Sequence, residues 1–245
     1  IHNRTLSPEE IAVRAGQLDG RQAEFLRVFG GPARMDIGAF ESNAIDMPSL
    51  RVTTTNDRVD ETDGVTSLRE AVAFANDSTA GALADGDADN DGNANDTITF
   101  APNLQDQTIT LGNELVVSSS VTIDGGGASG LRVSGDNTSR IFRFASADAA
   151  KYVISDLVLT NGVVPRGNQP SPQTGGAISI VDSNDMLVIQ RSVISDSAAN
   201  GGGAIFIGGG ATLEVIDSAL INNEANFSGS AILTSGSTDV TIVNS

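Results

Sequence analysis

Cysteine and tryptophan are absent from this 245-residue chain, and Tyr152 is its one tyrosine. Without thiols there is neither a disulfide framework nor a thiolate metal site. Aromatic residues make up only 4% of the chain, which excludes a core built on large rings. Basic residues are scarce as well: 14 Lys and Arg stand against 31 Asp and Glu, for a net charge of −17. No basic stripe offsets the repulsion from phosphate, which argues against nucleic acid or an anionic membrane as partner. No apolar run approaches the ~18 residues that mark a membrane helix. The sole lysine, Lys151, and the sole histidine, His2, read as surface residues. G-x-S-x-G, Walker A and HExxH stretches are all missing.

What the chain has is 27 glycines among many short runs of Ile, Val and Leu. That mixture suggests stacked small rungs, and an internal repeat supports it. "GGAI" occurs at 175–178 and 202–205, and the variant "GSAI" at 229–232, spaced by 27 residues both times. A second motif keeps step: "LVIQRSVIS" from Leu187, "LEVIDSALI" from Leu213 and "VTIVNS" from Val240, whose starts lie 26 and 27 residues apart. "YVISDLVLTNG" at 152–162 matches one rung earlier, and the Pro-rich insert "VVPRGNQPSPQT" stretches the turn after it. A period of this size suits two or three short strands wound once around an axis. Each rung would pair with the next at about 4.8 Å, stacking Ile178, Ile205 and Ile232, and likewise Ser192, Ser218 and Ser245. A β-propeller blade needs ~40 or more residues and brings aromatic signatures. The expected fold is therefore all-β: a right-handed, single-stranded parallel β-helix (a solenoid) with an N-terminal capping α-helix.

The cap is expected at "TSLREAVAFAN", residues 66–76. Ser67 and Glu70 have capping-box spacing, and Leu68, Ala71, Val72 and Ala75 line one apolar face. A solenoid leaves apolar core and unpaired edges open at its ends, so a helix just before the first rung has work to do there.

Residues 1–41 form one unit, 42–50 ("SNAIDMPSL") a linker, 51–100 the N-terminal strand, capping helix and acidic loop, and 101–245 the rungs. Because the chain starts at Ile1 and stops inside a strand pattern, it is expected to be a piece of a longer protein, truncated at the C-terminus.

"DGVTSLREAVAFAND", "DTITFAPN", "QTITL" and "VTIDG" resemble the CSLREA-type N-terminal region of bacterial β-helix proteins. "FLRVFGGPARMDIGAFE" is similar to the terminal signature of the choice-of-anchor Q domain. The "GGAI" rungs resemble polymorphic outer-membrane-type and pectate-lyase-like solenoid repeats. The eponymous cysteine is Thr66 here, so nothing that needs a thiol carries over. The DIGAFE signature precedes the CSLREA-like stretch, as if one module ended where another began. The resemblance implies a long bacterial protein, secreted or displayed on the cell surface, and brings no catalytic residues with it.

Two places could carry chemistry. "DGDADNDGNAND" at 85–96 offers Asp87, Asp89, Asp91, Asn93 and Asp96 as Ca²⁺ ligands, with Gly92 at the sharp bend. The EF-hand's twelfth-position Glu is missing, since Ile98 stands there, and a solvated acidic loop is the competing reading. Asp57, Asp60 and Asp63 form a weaker cluster that reads as a turn. Aligning the second motif places Asp156, Arg191, Asp217 and Asn244 at one position on successive coils. Such a column is either a surface ion-pair ladder of little energetic weight or a glycan contact. The favoured role is non-catalytic: an exported, monomeric, adhesin-type solenoid whose partners are polysaccharide or cell-surface components. The other class is a polysaccharide lyase or glycoside hydrolase of the pectate-lyase-like type. A third reading is an autotransporter passenger.

Overall fold

The computed structural model describes residues 49–76, 96–147, 149–164, 173–181 and 184–245. The expected unit 1–41, most of the linker and the acidic loop up to Asn95 lie outside these residues.

The chain opens with strand β1 (Arg51–Val52), helix α1 (Leu68–Ala75) and strands β2 (Asp96–Phe100), β3 (Thr108–Thr110), β4 (Leu115–Val117) and β5 (Val121–Asp124). Next come β6 (Arg132–Ser134), β7 (Phe142–Phe144), β8 (Lys151–Ser155), β9 (Val158–Thr160), β10 (Ile178–Ile180), β11 (Met186–Gln190) and β12 (Val193–Ser195). The last are β13 (Ala198–Gly201), β14 (Ile205–Ile207), β15 (Thr212–Ile216), β16 (Ala219–Ile221), β17 (Glu224–Ser228), β18 (Ile232–Thr234) and β19 (Asp239–Val243).

These strands build a parallel β-helix. The first sheet runs β1-β2-β5-β8-β11-β15-β19, the second β3-β6-β9-β12-β16, the third β4-β7-β10-β14-β18, and β13 pairs with β17 in a fourth. Every strand pair is parallel, and none is consecutive in sequence except β1 with β2. Each coil therefore supplies one strand per sheet: three in most coils, with a fourth in the two that hold β13 and β17.

Register makes the core. Ile98, Ile123, Ile154, Ile189, Val215 and Ile242 form one column in the first sheet. Phe142, Ile178, Ile205 and Ile232 form another in the third, so the predicted Ile178–Ile205–Ile232 stack is real. Alternation along the strands points these residues inward and their neighbours outward, and all but Ile232 and Ile242 are at most 1% exposed. The steps between column members run from 25 to 35 residues. The repeat is thus less regular than its two best-matched coils suggest, because turns absorb insertions that strands cannot.

Corners explain the punctuation. Gly175, Gly202 and Gly229 sit at φ 69°, 63° and 63°. A Cβ there would collide with the carbonyl oxygens of Ile178, Ile205 and Ile232 respectively, which is why the first glycine of each "GGAI" or "GSAI" is needed. Inside the coil, Ser192 Oγ accepts Leu157 N–H at 3.2 Å, Ser218 Oγ accepts Ser192 N–H at 3.1 Å, and Ser245 Oγ accepts Ser218 N–H at 3.1 Å. The serine column thus supplies acceptors where the backbone turns out of the ladder.

Helix α1 has the full capping box: Ser67 Oγ accepts Glu70 N–H, and Glu70 Oε2 accepts Ser67 N–H at 2.7 Å. Its Leu68, Ala71, Val72 and Ala75 are buried and pack against β1, β2 and β4. Asn76, at its C-terminus, donates from Nδ2 to Val116 O at 2.8 Å and accepts Ser118 N–H at Oδ1, also at 2.8 Å. One side-chain amide thus replaces the missing strand along the edge of β4. Ser119 Oγ donates to Ala75 O at 2.5 Å beside it.

Candidate functional site

The column Asp156–Arg191–Asp217–Asn244 exists as aligned. Each residue directly follows a strand of the first sheet, and the strand ends Ser155, Gln190, Ile216 and Val243 are in register. All four are left-handed, with φ of 56°, 48°, 48° and 52°. Asp and Asn tolerate this region better than most side chains, so the corner itself accounts for three of the four residue types. A parallel corner column, Asn161–Asp196–Asn222, has φ of 54°, 52° and 53°. Arg191 is the exception in residue type, and its side chain answers the carboxylate below it.

Arg191 Nε donates to Asp156 Oδ1 at 3.0 Å and its Nη2 to Asp156 Oδ2 at 2.6 Å, a two-pronged pair. Asn244 Nδ2 donates to Asp217 Oδ1 at 3.1 Å. The expected flanking of Arg191 by both acids is therefore uneven: Asp156 bonds it, while Asp217 acts only as a nearby charge. Hydrogen bonding to Asp156, then attraction to Asp156 and to the more distant Asp124 and Asp217, holds the Arg191 guanidinium above its ordinary pKa. It stays a cation, with about half its side chain exposed.

A second charged group, of which the sequence singles out only Asp57, joins the cap to the third sheet. Arg69 grips Asp57 through Nε–Oδ1 and Nη2–Oδ2 bonds of 2.8 Å each, and Nη2 also donates to Asn113 O at 2.8 Å. Glu114 receives Arg140 at 2.5 Å and Arg143 at 3.0 Å. Arg140 further donates to Gly175 O and Thr174 O. Burial lowers the Arg140 pKa, although Glu114 works against that shift. Spacing alone gives no hint of this cluster, because its members come from separate coils and the helix.

The weak cluster resolves into turns and a clasp. Asp57 serves Arg69 and accepts Gly112 N–H at 2.8 Å; Asp60 Oδ1 accepts Thr62 N–H and Asp63 Oδ1 accepts Val65 N–H. Of the calcium candidates, Asp87, Asp89, Asp91 and Asn93 lie outside the described residues. Asp96 opens β2, is 2% exposed and pairs in register with Val121. Among the described residues, no group of three or more His, Cys, Asp or Glu is placed to hold a metal.

Comparison with family models, with curated proteins and with solved structures finds no match to this chain. No helix of the described residues is long and apolar enough to cross a membrane.

Proposed function

We propose that this chain is a non-catalytic, exported solenoid of the adhesin type, displaying an elongated surface to polysaccharide or other cell-surface components. The observation that supports a display role over chemistry is the state of its most prominent charged column. A lyase needs a strong base beside an acidic sugar, and Arg191 is a guanidinium cation engaged by Asp156 in a two-pronged pair. A hydrolase needs two carboxylates across a scissile bond. In the column Asp156 is engaged by Arg191 and Asp217 by Asn244, each at a corner that selects Asp or Asn for backbone reasons. Export and bacterial surface location rest on the resemblance of "DGVTSLREAVAFAND" and the DIGAFE stretch to surface β-helix proteins. Incubation with pectin, alginate and neutral β-glucans should release neither reducing nor unsaturated ends. Their appearance would turn the assignment to the pectate-lyase-like enzyme class.

Calcium remains part of the proposal through the spacing of Asp87, Asp89, Asp91, Asn93 and Asp96. Chelation should lower the melting temperature and Asp89→Ala should abolish that sensitivity; identical melting with and without chelator would remove the ion from the account.

A further inference from the structure

The fourth sheet begins before β13. Val163 bridges Ala198 and Thr174 bridges Gly201, so the coil that holds β9 and β10 supplies its first row. Gly175 N–H donates to Gly201 O at 2.9 Å and Gly176 N–H to Gly202 O at 3.1 Å. One coil later, Gly202 N–H donates to Ser228 O at 3.0 Å and Gly203 N–H to Gly229 O at 3.1 Å. In each coil of this sheet, two successive carbonyls thus face the preceding coil and take its N–H groups. Thr174 stands in register with Gly201, so the same pair in the first row is Thr174 O and Gly175 O, and it faces the coil of β6 and β7.

That coil has no strand to offer. It passes from β6 to β7 through a tight turn, in which Thr138 N–H and Ser139 N–H both donate back to Gly135 O at 2.9 Å. The ladder resumes at Ile141 and Phe142, whose N–H groups donate to Ala177 O at 3.1 and 2.9 Å. Two carbonyls in a row therefore lie where the preceding backbone has turned away. An edge of that kind invites pairing with another chain unless something closes it.

Arg140 occupies the gap. Its Nη2 donates to Thr174 O at 3.0 Å and its Nε to Gly175 O at 2.9 Å. A guanidinium presents parallel N–H groups in a rigid fork. Here that fork supplies what Gly175 and Gly176 supply to Gly201 O and Gly202 O in the next coil. The remaining arm, Nη1, is held by Glu114 Oε2, and the side chain is only 12% exposed. The head group is thus gripped between a carboxylate and two carbonyls and cannot swing into water without giving up all three.

We propose that Arg140 is a built-in edge closure: its guanidinium stands in for the strand missing before the first row of the fourth sheet, and is the device that lets the coil widen from three strands to four. Asn76 does the same for β4 with an amide; Arg140 does it inside the stack.

Amide exchange followed residue by residue by NMR on the 245-residue chain tests this. In Arg140→Ala the Gly175 and Gly176 amides should exchange about tenfold faster or more. Val193 N–H, bonded to Leu157 O in the second sheet, should keep its rate. Unchanged rates at the two glycines would overturn the proposal, and so would an equal acceleration at Val193, which would mean general loosening. Glu114→Gln should leave both glycines slow, because both carbonyl bonds remain. Acceleration there equal to that in Arg140→Ala would place the effect in the ion pair and also overturn the closure. Should Arg140→Ala not fold, Arg140→Lys decides: it keeps the charge beside Glu114 but has no fork, so the two glycines should still exchange faster than in the wild type, and wild-type rates would overturn the proposal.

Discussion

The first coil of the solenoid and its middle coils are built from the same kind of strand and covered in different ways. Over the first, α1 lays four buried side chains on β1, β2 and β4, Asn76 clasps the edge of β4, and Arg69 ties the helix to Asp57 and Asn113. In the middle, each coil is covered by its neighbours: β11 lies between β8 and β15, and β10 between β7 and β14. The two devices reach the same burial, since Leu68 of the helix and Ile178 of a middle coil are both 0% exposed. Stability in such an architecture is a sum of nearest-neighbour terms, so the helix does for the first coil what a neighbouring coil does for the others.

The strongest way to break this comparison is to disrupt the helix over the first coil. Leu68→Asp places a carboxylate where the side chain is 0% exposed. It should destabilise the chain by about 4 kcal/mol or more, seen as a lowered denaturant midpoint with aggregation. A change under about 1 kcal/mol would mean that the helix does not seal the core. Next in size, Ile178→Ala should cost about 2–5 kcal/mol, because Ile178 is 0% exposed between Phe142 and Ile205. A cost under about 1 kcal/mol would mean that neighbouring coils do not cover the column as the helix covers the first. Asn76→Ala leaves Val116 O and Ser118 N–H of the β4 edge without their partner and should cost about 1–3 kcal/mol. Hydrogen exchange at Ser118 should accelerate with it. The smallest effect belongs to Arg191→Ala, whose pair with Asp156 is exposed: the thermal midpoint should not move measurably.

The parts of this molecule legible in its sequence are those that repeat. "GGAI" at 175–178 and 202–205 reveals the coil because its first glycine meets the same carbonyl clash each time. Leu187, Ile189 and Ile194 alternate with outward residues because a strand has two faces. The cap was readable from Ser67, Glu70 and the Leu68–Ala75 stripe, since capping and amphipathicity are local. The Asp156–Arg191–Asp217–Asn244 column was legible as an alignment, but not its left-handed corner, which is a property of backbone closure. What did not show was what occurs once. The Asn76 clasp, the Arg69–Asp57 grip and the Glu114–Arg140–Arg143 group join residues far apart in sequence, with no period to announce them. One irregularity did leave a trace: β17 carries an extra residue opposite β13, since Ala199 pairs with Ala225 but Gly201 with Ser228, and the motif spacing changes from 26 to 27 there.

The central claim is that each coil lies directly above the last, in fixed register. The absence of cysteine makes pairwise cross-linking a clean probe of it. Gln190 and Ile216 are register partners in adjacent strands, and Val243 stands one strand further on. Gln190→Cys with Ile216→Cys spans about 4.8 Å and should oxidise to an intramolecular disulfide. Gln190→Cys with Val243→Cys spans twice that, beyond the ~7 Å that a disulfide bridges, and should stay reduced. Ready closure of the second pair but not of the first would contradict the stack.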